Sequence, residues 1–346
     1  MTSQFEREIR EQPEVIARLL SDGREDVNRI AERIRSADPR FVMIAARGTS
    51  DNAARYAQYL LGARNHLPVA LATPSLFTLY HAPPRLSQGL VIGISQSGQS
   101  PDIVAVIAEA RLQGVLTLAI TNDPASALAQ AADLRLELRA GAEQAVAASK
   151  TYTAELTALA MLSTALAENG EGWSQLENLP QSIDETLCLN GHLDPTATRF
   201  VETEQFIVVG RGFNYATAYE VALKIKETSY VVAEAHSSAE FRHGPIAVVD
   251  EGFPVILIAP SGAALQDVLA LYTELKERNA EVLLISDRHE LLKDDSRSLP
   301  IPSGVPEWLS PIVAVVPGQL WALALARAKG IDPDQPRGLS KVTRTR

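Results

Sequence analysis

Short unbroken apolar runs alternate along this chain with stretches whose apolar positions recur three and four residues apart. Phe41-Val42-Met43-Ile44-Ala45-Ala46 is the first clear run, and it stops at Arg47-Gly48-Thr49-Ser50 before a helical period over about residues 52–61. Apolar runs of this length bounded by turn residues read as buried strands. The same signal predicts strands over residues 69–72, 90–94 and 116–121, the last closed by Asn122-Asp123-Pro124. Strands and helices alternating at this spacing predict α/β units in a parallel, doubly wound sheet. Upstream, Ile9, Val15, Ile16, Leu19, Leu20, Val27, Ile30 and Ile34 recur among dense charges. They predict one or two amphipathic helices, broken near Pro13 and Gly23, that pack on the first domain or on a partner subunit.

The pattern returns about 164 residues later. Phe206-Ile207-Val208-Val209-Gly210-Arg211-Gly212 echoes residues 41–48, Val255-Ile256-Leu257-Ile258-Ala259-Pro260-Ser261-Gly262 aligns with residues 91–98, and Val282-Leu283-Leu284-Ile285-Ser286-Asp287 echoes residues 116–122. Self-similarity at a fixed spacing marks a repeated structural unit. The expected architecture is therefore α/β, with two tandem doubly wound parallel-sheet domains joined by a helical linker. The expected boundaries are a helical lead-in over 1–38, a first domain over 39–168, a linker over 169–198, a second domain over 199–330 and a tail over 331–346. Residues 140–153 are expected to open a long Ala/Leu-rich helix reaching about Ala167, and residues 321–329 to form another. Asp332-Pro333-Asp334-Gln335-Pro336-Arg337-Gly338-Leu339-Ser340-Lys341 has no helical period.

At 346 residues the chain is long enough for two cores, and 46% hydrophobic with 21% charged residues is an ordinary globular composition. Apolar runs fall short of the roughly 20 residues of a membrane span, and the charged start Met1-Thr2-Ser3-Gln4-Phe5-Glu6-Arg7-Glu8 is unlike a signal peptide, so a cytoplasmic protein is expected. One cysteine, Cys188, excludes an internal disulfide and a multi-cysteine metal site and reads as an inert core or helix residue. A net charge of −10 argues against a nucleic-acid partner, which needs a basic face, but not against a small anion held by a local loop.

Such a loop is present. Val91-Ile92-Gly93-Ile94 ends in Ser95-Gln96-Ser97-Gly98-Gln99-Ser100, and Pro101-Asp102 then opens a helical period. Backbone N–H groups at a helix start, the helix dipole and three hydroxyls favour an anion, best a phosphate ester; plain helix capping would account for one or two of the hydroxyls. In the second copy Ala259 and Pro260 replace Ser95 and Gln96, so no equivalent phosphate site is expected there. Over residues 218–230, Glu220, Lys224 and Glu227 share one helix face at i, i+4 and i+7. A solvated ion pair is the plain reading, which the flanking Ala222, Leu223 and Ile225 weaken. His243 precedes Gly244-Pro245 in a turn, where an imidazole can reach a ligand or simply make one backbone hydrogen bond.

These stretches, with Gly141-Ala142-Glu143 and Ala148-Ser149-Lys150, resemble the sugar isomerase (SIS) domain family. Residues 220–227, 233–235, 240–245 and the tail through Lys341 resemble the isomerase half of glucosamine-6-phosphate synthase. The resemblance implies flavodoxin-like domains and a sugar phosphate held by Thr49, Ser50, Ser95, Gln96, Ser97 and Ser100, with Ala147 and Ser149 beside the sugar. It implies that Glu227 moves a proton between C1 and C2, that His243 opens the ring from a neighbouring subunit of a homodimer, that Lys341 closes over the sugar, and that Glu220 and Lys224 support the base. No metal and no organic cofactor is implied, and neither a nucleic acid nor a membrane is an expected partner. Ala148 stands where the family pattern has a serine. Only a short helical lead-in precedes the first domain, so synthesis from glutamine is not expected. The implied activity is an amino-sugar-phosphate deaminase/isomerase that converts glucosamine 6-phosphate to fructose 6-phosphate and ammonia. A fructosamine-phosphate deglycase or related phosphosugar isomerase is the alternative, and a non-catalytic phosphosugar sensor is a second. A dinucleotide site is disfavoured, because neither Gly48 nor Gly98 belongs to a G-x-G-x-x-G turn.

Overall fold

A computed structural model describes residues 2–168, 170–292 and 297–341. In chain order these form α1 (Gln4–Arg10), α2 (Gln12–Ala37), β1 (Phe41–Ala45), α3 (Gly48–Asn65), β2 (Val69–Leu71), α4 (Pro74–Thr78), β3 (Gly89–Ile94), α5 (Pro101–Leu112), β4 (Leu116–Thr121), α6 (Ala127–Ala131) and β5 (Leu134–Glu137). There follow α7 (Lys150–Leu166), α8 (Gly170–Glu177), α9 (Leu179–Leu189), α10 (Asp194–Thr198), β6 (Gln205–Gly210), α11 (Tyr215–Ser229), β7 (Val232–Ser237), α12 (Ser238–Arg242), β8 (Pro254–Ile258), α13 (Leu265–Glu277), β9 (Glu281–Ser286), β10 (Ser298–Pro300) and α14 (Ser310–Ala328). The chain gathers into two compact units, each built from separated stretches. One takes Glu14–Glu143, Lys150–Asn178 and the end from Ser340; the other takes Met1–Pro13, Gln144–Ser149 and Leu179–Leu339.

In the first unit the sheet runs β2-β1-β3-β4-β5, with every neighbouring pair parallel. All six residues of β3 are buried. That explains an unbroken apolar run instead of an alternating one: helices cover both faces of a parallel sheet. On one face Ala45, Val91 and Ala119 pack against Ile103, Val106 and Ile107 of α5 and Leu128 of α6.

The second unit's sheet runs β10-β9-β8-β6-β7, again all parallel, so each sheet has the same order counted from its own first strand. Every residue of α14 from Ser310 to Ala326 is buried. By length and composition α14 is apolar enough to cross a membrane, a feature hidden in the sequence by Pro317, Gly318 and Gln319; here it is the core helix of its unit. It lies against α11 at Gly318, where a Cβ would sit 2.3 Å from Cγ2 of Val221.

Several elements differ from expectation. Residues 1–13 belong to the unit of the second sheet, not to that of the first. The helix break expected near Pro13 is present, at Glu11, whereas the one expected near Gly23 is not: α2 runs through Gly23, which packs against Leu19 and Met161. Pro13 is tolerated because it lies in the first turn of α2, where its missing N–H costs no hydrogen bond. Residues 140–149 are irregular, and the long helix begins at Lys150. Cys188 is a helix residue but an exposed one.

Gly318→Ala forces a methyl into the α11–α14 contact and is expected to cost about 1–3 kcal/mol, the usual range for overpacking. A guanidinium denaturation midpoint followed by circular dichroism measures it; a midpoint equal to wild type would mean that this approach is not tight in solution.

Candidate active site

In the first sheet the strand order reverses between β1 and β3. Open α/β sheets bind ligands outside the carboxyl ends of the strands at such a point. The turns leaving it are residues 47–50, which start α3, and residues 95–100, which start α5. An ion pair joins them: Arg47 Nε donates to Oδ2 of the fully buried Asp102 at 2.8 Å. Within the second turn, Gly98 N–H donates to the carbonyl (3.1 Å) and hydroxyl (3.2 Å) of Ser95. Gly98 has φ of 61°, and a Cβ there would lie 2.1 Å from Oγ of Ser126, so conformation and space both require glycine.

Among the described residues the amides of Gln96 and Ser97 donate to no group of the chain. Ser100 caps α5 without a side-chain hydrogen bond, and Ser97 Oγ accepts only a long bond, 3.3 Å, from Gln99 N–H. Helix capping therefore does not account for these hydroxyls, and the loop keeps the donors an anion needs. Ser50 differs: it is buried, and its hydroxyl donates to Glu155 Oε1 at 2.7 Å, inside the unit. Thr49 is half-buried beside it. Lys341 lies in this unit as well. Its Nζ donates at 2.9 Å to Oε2 of the buried Glu143, which also accepts from the N–H (3.1 Å) and hydroxyl (2.7 Å) of Thr151 in the first turn of α7. A carboxylate at a helix N-terminus is favoured by the dipole, so Glu143 is well placed to hold a cation.

The second unit carries the titratable cluster. Helical spacing brings Glu220, Lys224 and Glu227 together on α11, with Lys224 Nζ 3.2 Å from Glu220 Oε1 and 2.6 Å from Glu227 Oε2. Glu220 and Lys224 are completely buried, whereas the Glu227 side chain remains 21% exposed. This is an interior charge relay with one accessible end, unlike a solvated surface pair. Burial alone would lower Lys224, but the two carboxylates outweigh it and hold the group above the ordinary lysine range, so it stays an ammonium. His243 is exposed at the end of α12, its N–H donating to Glu240 C=O at 3.0 Å, which is the expected turn. Ala147 and Ser149 are fully buried in this unit.

The nominated residues thus divide. Thr49, Ser50, Ser95, Gln96, Ser97, Ser100 and Lys341 belong to the first unit, and Ala147, Ser149, Glu220, Lys224, Glu227 and His243 to the second. The turn after β8 has its anion supplied from within. Glu307 accepts from the amides of Ala263 (2.8 Å) and Ala264 (3.1 Å), just ahead of α13, and Asp287 accepts from Ser261 N–H at 2.7 Å. Asp102, Glu143, Glu155 and Glu307 escaped the sequence reading as site-shaping groups. The available signal was position: Asp102 and Glu143 stand directly beside the turns that the motifs mark.

The model of the SIS domain matches residues 25–165 and 200–326. A glutamine–fructose-6-phosphate aminotransferase (isomerizing) of Pyrococcus horikoshii is 36% identical over 340 residues, covering 97% of this chain and 56% of the relative. The chain thus spans little more than half the length of such relatives. Among solved structures, a candidate phosphosugar isomerase from Silicibacter pomeroyi DSS-3 superposes with a TM-score of 0.86 at 35% identity, covering 96% of this chain and 100% of that one. The C-terminal domain of glucosamine-fructose-6-phosphate aminotransferase from Francisella tularensis gives 0.88 at 29% identity, with 97% and 99% covered.

Lys224→Met leaves Glu220 buried without its counter-charge and is expected to destabilise by about 3–5 kcal/mol, the usual cost of breaking a buried pair. Because folding raises the Lys224 pKa, its contribution is complete below the unfolded value of 10.5 and is lost as pH rises through the folded one. The gap between variant and wild type should therefore be steady at neutral pH and narrow only in strong alkali. Urea denaturation at neutral and alkaline pH reads both, and equal stabilities at neutral pH would show the cluster to be loosely held.

Proposed function

Because this chain belongs to the SIS domain family, we propose that it is a phosphosugar isomerase that works as an amino-sugar-phosphate deaminase, taking glucosamine 6-phosphate to fructose 6-phosphate and ammonia. The observation that carries this reading is the buried Lys224 ammonium, 2.6 Å from the accessible carboxylate of Glu227. A carboxylate anchored in that way can take a proton from one carbon and return it to the next without drifting between the two steps. The names of the relatives support the substrate class: one is a glutamine–fructose-6-phosphate aminotransferase and another the C-terminal domain of a glucosamine-fructose-6-phosphate aminotransferase.

The phosphate binds at the loop 95–100 through the amides of Gln96 and Ser97 and the surrounding hydroxyls. His243, supplied by a neighbouring subunit of a homodimer, protonates the ring oxygen as the sugar opens. Glu227 removes the proton on C2 of the open aldehyde and delivers it to C1 while the nitrogen gives up one proton and the C1 oxygen gains one, so that the amine-bearing carbon becomes an imine and C1 an alcohol. Lys341, carrying its charge on the tail, meets the C1 oxygen as it becomes negative. Water adds to the imine carbon and ammonia leaves, giving the ketose.

Purified protein is expected to release ammonia from glucosamine 6-phosphate, followed by a coupled glutamate dehydrogenase assay. Glu227→Gln should lower kcat by about 10²–10⁴, the range for a lost general base, while a thermal shift with the same sugar persists. Turnover of a fructosamine phosphate in place of glucosamine 6-phosphate would make the protein a deglycase, and a ligand-induced shift without any turnover would make it a sensor.

A further inference from the structure

Arg47 is anchored at one nitrogen and unengaged at the other two. It stands at the start of α3, and its Nε donates to Oδ2 of Asp102 at 2.8 Å. Among the described residues its Nη groups donate to nothing, and the side chain is 50% exposed. Asp102 is fully buried, and its other oxygen accepts from Ile103 N–H at 3.0 Å. It is the second residue of α5, so it holds the guanidinium against the first turn of the helix that the loop 95–100 opens.

A second group of that loop lacks an acceptor. Ser95 is only 8% exposed, and its hydroxyl accepts from Gly98 N–H at 3.2 Å, but its own O–H donates to no group among the described residues. A buried donor left without an acceptor is costly and points to a partner outside the chain. The neighbouring amides of Gln96 and Ser97 are unengaged in the same way. All of these donors come from the two turns that leave the sheet where its strand order reverses.

The charges fit an anion there. An uncompensated Asp102 in the first turn of α5 would repel an anion brought to the same helix start, and the net charge of −10 adds to the repulsion. Arg47 cancels Asp102 through Nε alone. The Nη1–Nη2 edge of its planar fork is left over, and that edge matches two oxygens of a phosphate. The Ser-rich motif contains no cation of its own, and Arg47 brings one from the turn after β1.

We propose that Arg47 is a phosphate-binding residue: its Nη groups hold a phosphate dianion together with the amides of Gln96 and Ser97 and the Ser95 hydroxyl, and Asp102 orients it for that task. This rests on the reading above that puts the substrate phosphate at the loop 95–100.

Inorganic phosphate is the probe, its binding to the full chain read by isothermal titration calorimetry. Arg47→Met is expected to raise Kd about tenfold or more, the loss that a missing charged hydrogen bond produces. Asp102→Asn removes the charge that Arg47 cancels, and adding Arg47→Met to it should still raise Kd about fivefold or more over Asp102→Asn alone. A double variant that binds as tightly as Asp102→Asn would reduce Arg47 to a counter-charge and overturn the proposal, as would an unchanged Kd in Arg47→Met. Should the variants not fold, the wild type decides. Phenylglyoxal is expected to modify the half-exposed Arg47, and saturating phosphate to slow that modification about fivefold or more, measured by mass spectrometry of the peptide; an unprotected Arg47 overturns the proposal. A wild type that binds phosphate through Arg47 yet releases no ammonia from glucosamine 6-phosphate would defeat the proposed function and leave this site standing, whereas a wild type that binds no phosphate would defeat both.

Discussion

Lys224 is the constraint around which the second unit is arranged. An ammonium with no solvent exposure is tolerable only if carboxylates surround it, and both come from its own helix, one turn on either side. That demands a regular helix over residues 220–227 and a wall dense enough to keep water out. The wall is α14, whose Gly318 admits Val221 at a distance no side chain would permit. Tyr230 ends α11 in a left-handed conformation, accepts from Arg337 N–H at 2.8 Å and lies 4.3 Å beneath the Arg337 guanidinium. The approach to the closing segment of the chain is thereby tied to the helix that carries the cluster.

Helix N-termini supply the complementary theme. Each unit has a turn that leads from a central strand into a helix, and each such turn exposes backbone donors. In the second unit Glu307 satisfies them, so that turn is closed to a further anion. In the first unit the protein commits Asp102 to Arg47 and leaves the amides of Gln96 and Ser97 unengaged among the described residues. The two turns thus differ in their internal acceptors: Glu307 and Asp287 occupy the amides of the second, and the amides of Gln96 and Ser97 in the first meet no such carboxylate among the described residues.

What could be read from the sequence follows from the range of the interactions involved. The central strands were legible because a sheet covered on both faces needs consecutive apolar residues, as in β3 and β4. The face shared by Glu220, Lys224 and Glu227 was legible because it is a matter of helical period, though its complete burial at Lys224 was not, since that depends on α14 some 90 residues away. Edge strands β5, β7 and β10 went unseen. They are three to six residues long and polar in part, as edges tend to be, and β7 reads Val-Ala-Glu-Ala-His-Ser. The start of α7 was placed too early because Ala145 to Ala148 have high helix propensity, and the tertiary bonds of Glu8 and Gln319 prevail over it.

The same reasoning explains why the loop 144–149 needs a charged partner where a neutral one would seem sufficient. A seven-residue helix such as α1 has little stability of its own, and it persists because Ser3 and Asp334 engage its first amides and Glu6 reaches Arg327. Once fixed, it presents the buried Glu8 to the amides of Gln144 and Ala145, which no ladder claims. A charged acceptor holds such donors about twice as strongly as a neutral one. Burying that charge destabilises the fold unless every lone pair is used, so the carboxylate and the loop conformation specify one another. The helix and the loop are therefore one unit of structure, although 136 residues separate them in the chain.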